Sequence, residues 1–287
     1  MSLDVVRPGA LTTVQDLGRP GHAHLGVPRS GALDPYAHRL ANLLTGNPPE
    51  AATLETTVDG TALRAVTAVT VAVTGAPCPV RIDGRPAAWG AAVRVPAGSV
   101  LDVGRAVSGV RSYVAVRGGI DAEPVLGSRA TDLLSGLGPA PLSAGLTLRI
   151  GAPRAHSTGA DALPTTAPPA ELVLPLRLGP RDGWFSAEAV QGLARARYRV
   201  SSASNRIGLR TEGPPLHRTT HTELPSEGMV LGAVQVPPDG LPVVFLADHP
   251  VTGGYPVLGV VPEAHLAAAA QAVPGTPVIF RPLHQRT

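Results

Sequence analysis

Short runs of β-branched and aliphatic residues alternate with turn-forming clusters of Gly, Pro, Asn and Asp along the whole chain, the pattern of short strands joined by tight turns. Residues 67–74, Thr-Ala-Val-Thr-Val-Ala-Val-Thr, are β-branched and partly alternating. Residues 91–95, 99–103 and 111–116 read the same way, as do 172–178, 229–236 and 242–247 later in the chain. Helical pattern is confined to three places. Asp34 suits an N-cap and Pro35 a first turn, Leu40, Leu43 and Leu44 predict an apolar stripe, and Gly46-Asn47-Pro48 stops the helix. Ser186 opens a short helix reaching to about 195, and 262–272 is Ala-rich. The fold class expected is mainly β with a few short helices.

Residues 152–170 are rich in Pro, Ala, Thr and Ser and follow neither period, so they read as a linker or long loop. They separate an N-terminal β-rich lobe, 1–151, from a C-terminal β-rich lobe, 171–287.

Composition narrows the picture. The chain has 287 residues, 44% apolar and 16% charged, with 33 Gly and 31 Pro, which describes a globular, turn-rich protein. Aromatics are only 3%, so Val, Leu, Ala and Ile must build the core. All 24 basic residues are arginine. The missing lysine excludes a P-loop lysine, a Schiff base, a biotin-bearing lysine and a Ser-Ser-Lys amidase triad. The net charge is +3, and no cluster of arginines interleaved with aromatics stands out, so nucleic acid is not an expected partner. Cys78 is the single cysteine, which rules out an internal disulfide. No run reaches about 18 apolar residues and Met1-Ser2-Leu3-Asp4 has no basic leader pattern, so no membrane contact and a cytoplasmic location are expected.

Three segments concentrate candidate chemistry. The first, 13–34, carries Gln15, Asp16, Arg19, Arg29, Ser30 and Asp34 among glycines. Its arginines can hold a carboxylate or phosphate through paired N–H donors, or tie a structural loop down by Arg–Asp contacts. The second, 201–213, presents Arg206 after a polar turn, facing a substrate or lying at a solvated strand end. The third contains Glu227, Gln235, Asp239, Asp248 and Thr252-Gly253-Gly254-Tyr255. A hydroxyl, unhindered backbone N–H groups and a phenol can bind an oxyanion, or simply form a hairpin turn. Glu227 and Asp248 become a proton-transfer pair if they meet across a pocket, with Tyr255 as a third candidate catalytic group. His217 and His221 have the i, i+4 spacing of helical zinc ligands but lie in poor helix material, so no metal site is expected.

These segments resemble one family. Thr-Val-Gln-Asp-Leu-Gly-Arg-Pro-Gly (13–21), Gly-Val-Pro-Arg-Ser-Gly-Ala-Leu-Asp (26–34) and Gly-Ser-Arg-Ala-Thr-Asp-Leu (127–133) match its N-terminal motifs. Ser-Asn-Arg-Ile-Gly-Leu-Arg (204–210), Ser-Glu-Gly-Met-Val (226–230), Gln-Val-Pro-Pro-Asp-Gly (235–240) and Thr-Gly-Gly-Tyr-Pro (252–256) match its C-terminal ones, in order across nearly the whole chain. The chain is identified as a member of the biotin-dependent carboxyltransferase, or allophanate hydrolase subunit 2, family, which includes the C-type component of 5-oxoprolinase and the carboxyltransferase region of urea amidolyase. The resemblance implies cyclophilin-like β-barrel architecture in two lobes and work alongside B-like and A-like partner proteins of a 5-oxoprolinase complex. The activity it implies is ATP-dependent opening of 5-oxo-L-proline to L-glutamate, with ATP contacts shared among the components and no covalent biotin on this chain. Alternatives are carboxyl transfer from carboxybiotin to a urea-like acceptor, and a non-catalytic regulator that binds a B-like kinase-inhibitor protein. The chain departs from the family pattern at Asn205, where an acidic residue is usual, and at His249-Pro250-Val251, where Arg-Gln-Thr is usual.

Overall fold

A computed structural model describes residues 1–153, 170–220 and 222–283. Most of the expected linker, and His221, lie outside these. The described residues form two compact units, one from 1–19, 30–132 and 136–153, the other from 20–29, 133–135 and 170–283. The architecture is mostly β with short helices, as the residue pattern predicts.

In the first unit the strands make one six-stranded and one five-stranded sheet. Their inward side chains meet in one core of Val, Leu, Ala and Ile, including Leu3, Leu54, Leu63, Val71, Val73, Leu101 and Val114. The central strand Arg111–Val116 is buried along its whole length and pairs antiparallel with Thr53–Thr57 on one side and Val69–Gly75 on the other.

Helix Pro35–Thr45 lies against these strands. Its start follows the local code: the Asp34 carboxylate accepts the Ala37 N–H at 3.0 Å, and Gly46 ends it in the left-handed region at φ 73°. Of the predicted Leu40, Leu43 and Leu44 stripe, Leu44 is buried, Leu40 is half-buried and Leu43 is not. The buried side is Ala37, His38, Ala41, Asn42, Leu44 and Thr45, while Leu43 is 41% exposed. Small Ala37 and Ala41 allow close approach to Tyr113 and Ala115, where leucines at the contact would hold the helix off the sheet.

The second unit is a closed seven-stranded barrel. Parallel pairing of Leu172–Leu178 with Pro277–Leu283, from Leu172↔Val278 to Arg177↔Leu283, completes the ring and leaves neither strand an open edge there. Leu172, Leu174, Leu176, Val234, Val244, Leu258 and Phe280 fill it at 1% exposure or less. Several elements are shorter than predicted. The 229–236 run yields only Ala233–Gln235, because Met229 instead packs with Val243, Phe245 and Val257. The 186–195 helix is Ala187–Gly192, capped by the Ser186 hydroxyl. No helix among the described residues is long and apolar enough to cross a membrane.

A polar seam holds the helix of the first unit to its loops. His38 is fully buried, its Nδ1 2.9 Å from Thr53 Oγ1 and its Nε2 3.0 Å from the Pro49 carbonyl. Asn42 donates to Ala51 O, and Asn47 to Val116 O. Burial drives the His38 pKa down to about 4, so the ring is neutral, with Nε2–H donating to Pro49. In the unfolded chain the same imidazole takes up a proton as pH falls through about 6.5. Its contribution to stability is therefore complete above that pH and is lost between about 6.5 and 4, on the order of 3 kcal/mol in all. Urea unfolding midpoints should fall over this interval, and His38→Gln should flatten that slope.

Candidate functional site

The candidate residues separate into four local settings. In the first unit, Gln15, Asp16, Arg19 and Ser30 all grip the segment 125–131. Asp16 accepts the Ser128 hydroxyl at 2.6 Å, the Arg129 N–H at 2.6 Å and the Gly18 N–H at 2.8 Å. Arg19, 1% exposed, donates to the Val125 and Ala130 carbonyls. The Gln15 amide and the Ser30 hydroxyl both donate to Thr131 O, at 3.0 and 2.9 Å. Backbone geometry explains the glycines beside them. Gly31 has φ 92°, and a Cβ there would stand 2.7 Å from Gly18 N. Asp34, besides capping its helix, gives its N–H to Tyr113 Oη at 2.8 Å, and that hydroxyl donates to Glu55 at 2.7 Å. Burial first, then the Glu55 charge, pushes the Tyr113 phenol well above its usual range. This segment therefore works as a brace, the structural-loop alternative of the sequence.

Two candidates of the second unit make surface contacts and form the second setting. Arg29 pairs with Glu263 at 3.0 Å, exposed on both sides. Asp239 closes a turn by accepting the Leu241 N–H at 3.0 Å.

Arg206 and Asp248 form the third setting. They are 1% and 0% exposed and meet in a two-point fork, Nε to Oδ2 and NH2 to Oδ1, both 2.9 Å. Asp248 Oδ2 also accepts the Leu133 N–H at 3.1 Å. The predicted pairing of Asp248 with Glu227 is corrected, and so is Arg206 as an anion-binding group facing substrate. Each is the other's partner, because a charge removed from water needs a counter-charge at contact distance.

Glu227 lies elsewhere, in the fourth setting. The two-residue strands Glu227–Gly228 and Thr252–Gly253 pair as a ribbon, Glu227 opposite Gly253. Arg181, absent from the sequence-based candidates, ion-pairs with Glu227 through Nε and NH2. Its backbone is fixed by donation to Val257 O at 3.0 Å. The Arg181 hydrogen bond holds the Glu227 carboxyl below the usual range, so Glu227 is an ionised acceptor. Gln235 donates to Tyr255 O at 3.1 Å and lies so close to Gly253 that a Cβ there would stand 2.8 Å from its Nε2. Gly254 has only Leu224 O near such a position, at 3.5 Å.

Tyr255 is 44% exposed, with Arg218 over its ring at 5.9 Å. Arg218 is brought there by a bridge to Phe185 and donates to Val236 O, while its buried Nε has no hydrogen-bond partner among the described residues. Arg181 and Arg218 are not legible in the sequence because both sit in short turns that reach the site only through pairing with 257 and 185. The Pro180-Arg181-Asp182-Gly183 turn is the one local hint.

This fourth setting links an ionised carboxylate, two guanidiniums, a phenol, an amide and two glycines through these contacts. Such a group can hold a small polar molecule bearing a carboxylate and move a proton at its edge. Among the described residues no group of His, Cys, Asp and Glu could hold a metal ion.

Two consequences separate structural from reactive groups. Arg206→Gln strands a buried carboxylate and should cost about 3–5 kcal/mol of unfolding free energy, read by urea denaturation. Arg181→Gln removes the bond that depresses Glu227, so the Glu227 pKa should rise and the carboxylate protonate at higher pH. A 13C titration of Glu227 should show the upward shift in the variant with the unfolding midpoint little changed.

Comparison with known proteins places the chain. Residues 25–282 match the family described as carboxyltransferase domain, subdomain A and B. The chain is 39% identical to the C-type component of 5-oxoprolinase from Escherichia coli strain K12, over 97% of this chain and 90% of that protein. It is 33% identical to urea amidolyase of Lachancea kluyveri, over 98% of this chain and only 17% of the relative. The crystal structure of TTHA0988 superposes with a TM-score of 0.88 at 36% identity, covering 97% of this chain and 55% of that one. The same domain thus occurs as a chain of this size and as a part of longer ones. The chain belongs to the carboxyltransferase domain, subdomain A and B, family.

Proposed function

We propose that this chain is the C-type component of an ATP-dependent 5-oxoprolinase complex, opening 5-oxo-L-proline to L-glutamate together with A-like and B-like partner proteins. The observation that carries this reading is the 39% identity to a C-type 5-oxoprolinase component across 90% of that protein's length.

The chemistry is consistent with the site. A five-membered lactam is stable to water, so opening needs activation. Transfer of the terminal phosphoryl group of ATP to the lactam oxygen, with ADP leaving, makes the carbonyl carbon electrophilic. Water then adds, the C–N bond breaks with nitrogen taking a proton to leave a glutamyl acyl phosphate, and a second water hydrolyses that to glutamate and phosphate. In this reading the Arg218 guanidinium, set over the exposed Tyr255 ring, meets the substrate carboxylate. Glu227, kept ionised by Arg181, accepts the proton of the attacking water, and Tyr255 with the Gly253-Gly254 backbone borders the reacting oxygen.

The family description and the urea amidolyase relative favour a second reading, carboxyl transfer from carboxybiotin to a urea-like acceptor. With no lysine in these 287 residues, that biotin would be borne outside them. Glutamate release from 5-oxo-L-proline and ATP, measured with this chain alone and with the A-like and B-like proteins of its source, separates the two. Activity only in the full mixture, reduced roughly 100-fold or more by Glu227→Gln, is the expected result. A silent but correctly assembled mixture that carboxylates urea from carboxybiotin would establish the second reading.

A further inference from the structure

Arg195, Arg197 and Arg199 follow one another at alternate positions as the chain passes from helix Ala187–Gly192 into strand Tyr198–Val200. The expectation of no arginines interleaved with an aromatic is corrected by this segment, where Tyr198 stands between two of them. The strand period sorts the side chains. Tyr198 and Val200 are 2% and 1% exposed and turn into the barrel, which sends Arg197 and Arg199 outward.

The three arginines line a groove of about 520 Å³ within the second unit, together with Glu171, Ala196 and Ile279. Arg199 is anchored by donation to the Gly275 carbonyl at 3.0 Å. The same outward face continues with Arg281 beyond Ile279, since the intervening Phe280 points inward. Acids on this face are few: Glu171 in the groove and Glu212, the cross-strand neighbour of Arg199.

Some exposed arginines find carboxylates, as in Arg7–Asp102, Arg105–Asp59 and Arg29–Glu263. Among the described residues no ion pair involves Arg195, Arg197 or Arg199. Three like charges left unpaired around a concavity raise the local positive potential and attract a multivalent anion. Guanidinium forks match the paired oxygens of phosphate, and the Ala196 and Ile279 side offers apolar surface to a flat ring. The volume falls within the range of small-ligand sites.

We propose that this groove binds the phosphate chain of a polyphosphate ligand, which in the reaction above is the nucleotide. The nucleotide assignment rests on the 5-oxoprolinase reading, whereas the phosphate chemistry rests on the groove alone. Titration calorimetry of the isolated chain with tripolyphosphate, and with a non-hydrolysable ATP analogue, tests both. Saturable binding that weakens at high ionic strength is expected, and Arg197→Gln with Arg199→Gln should weaken it roughly tenfold. Arg85→Gln, on the other unit, should leave it unchanged, and thermal unfolding should confirm that all variants fold. Failure of both ligands to bind at low ionic strength, or binding untouched by the paired substitution, overturns the groove. Tighter binding of an oligoglutamate peptide than of tripolyphosphate overturns it as well. Equal binding of tripolyphosphate and the analogue keeps the phosphate site and removes the nucleoside from it. A complex without 5-oxoprolinase turnover, whose isolated chain still binds tripolyphosphate, rejects the functional reading and leaves the groove standing.

Discussion

The buried fork between Arg206 and Asp248 sets the terms for the second unit. Each ion would carry a penalty of several kcal/mol if buried alone, so neither can move without the other. The fork comes with backbone ties, Asp248 N–H to Arg206 O and Leu246 N–H to Ile207 O, that seat the strand end Val243–Phe245 against Gly208–Glu212. From that anchor the chain runs through 249–251 directly into Thr252–Gly253, which pairs with Glu227. Placement of the Glu227 ribbon is thus inherited from a charge pair with no exposure of its own. Stacking of His249 on Phe245, with ring centroids 6.0 Å apart, stiffens the same passage where the chain departs from its family's usual sequence.

A chain whose only strong cations are arginines meets its carboxylates through forks as well as through point contacts. Three environments result. The Arg206–Asp248 pair is dry and structural. The Arg181–Glu227 pair is partly open to water and keeps a carboxylate ionised at the candidate site. The Arg195–Arg197–Arg199 row has no carboxylate partner among the described residues. Geometry and solvent decide which of these is scaffold, reactive group or ligand site.

The motif residues of the first unit carry the complementary lesson. Gln15, Asp16, Arg19 and Ser30 occupy a dense glycine-rich motif, yet their hydrogen bonds go mainly to the 125–131 segment. A loop containing glycines has little side-chain packing to hold it. Its carbonyls and N–H groups must be satisfied individually when buried, and short polar side chains do this. Dense polar motifs therefore mark places where backbone is hard to hold as readily as places where substrate binds.

Strands such as Arg111–Val116 and Leu172–Leu178, the Asp34 cap and the Gly46 stop were legible in the amino-acid sequence because each depends on residues a few positions apart. Family membership was legible because several motifs recur in order over the whole chain. The buried face of helix Pro35–Thr45 was not, since it depends on how closely the helix approaches the sheet, a distance that Ala37 and Ala41 set only once Tyr113 and Ala115 are opposite them. Nor were the ion-pair partners of the buried and site charges. Arg206 and Asp248 are 42 positions apart, and Arg181 and Glu227 are 46 apart. Local sequence determined which elements form and which polar atoms need satisfying. Tertiary structure decided which charges meet, because desolvation and Coulomb attraction act on distances in space that spacing along the chain does not encode.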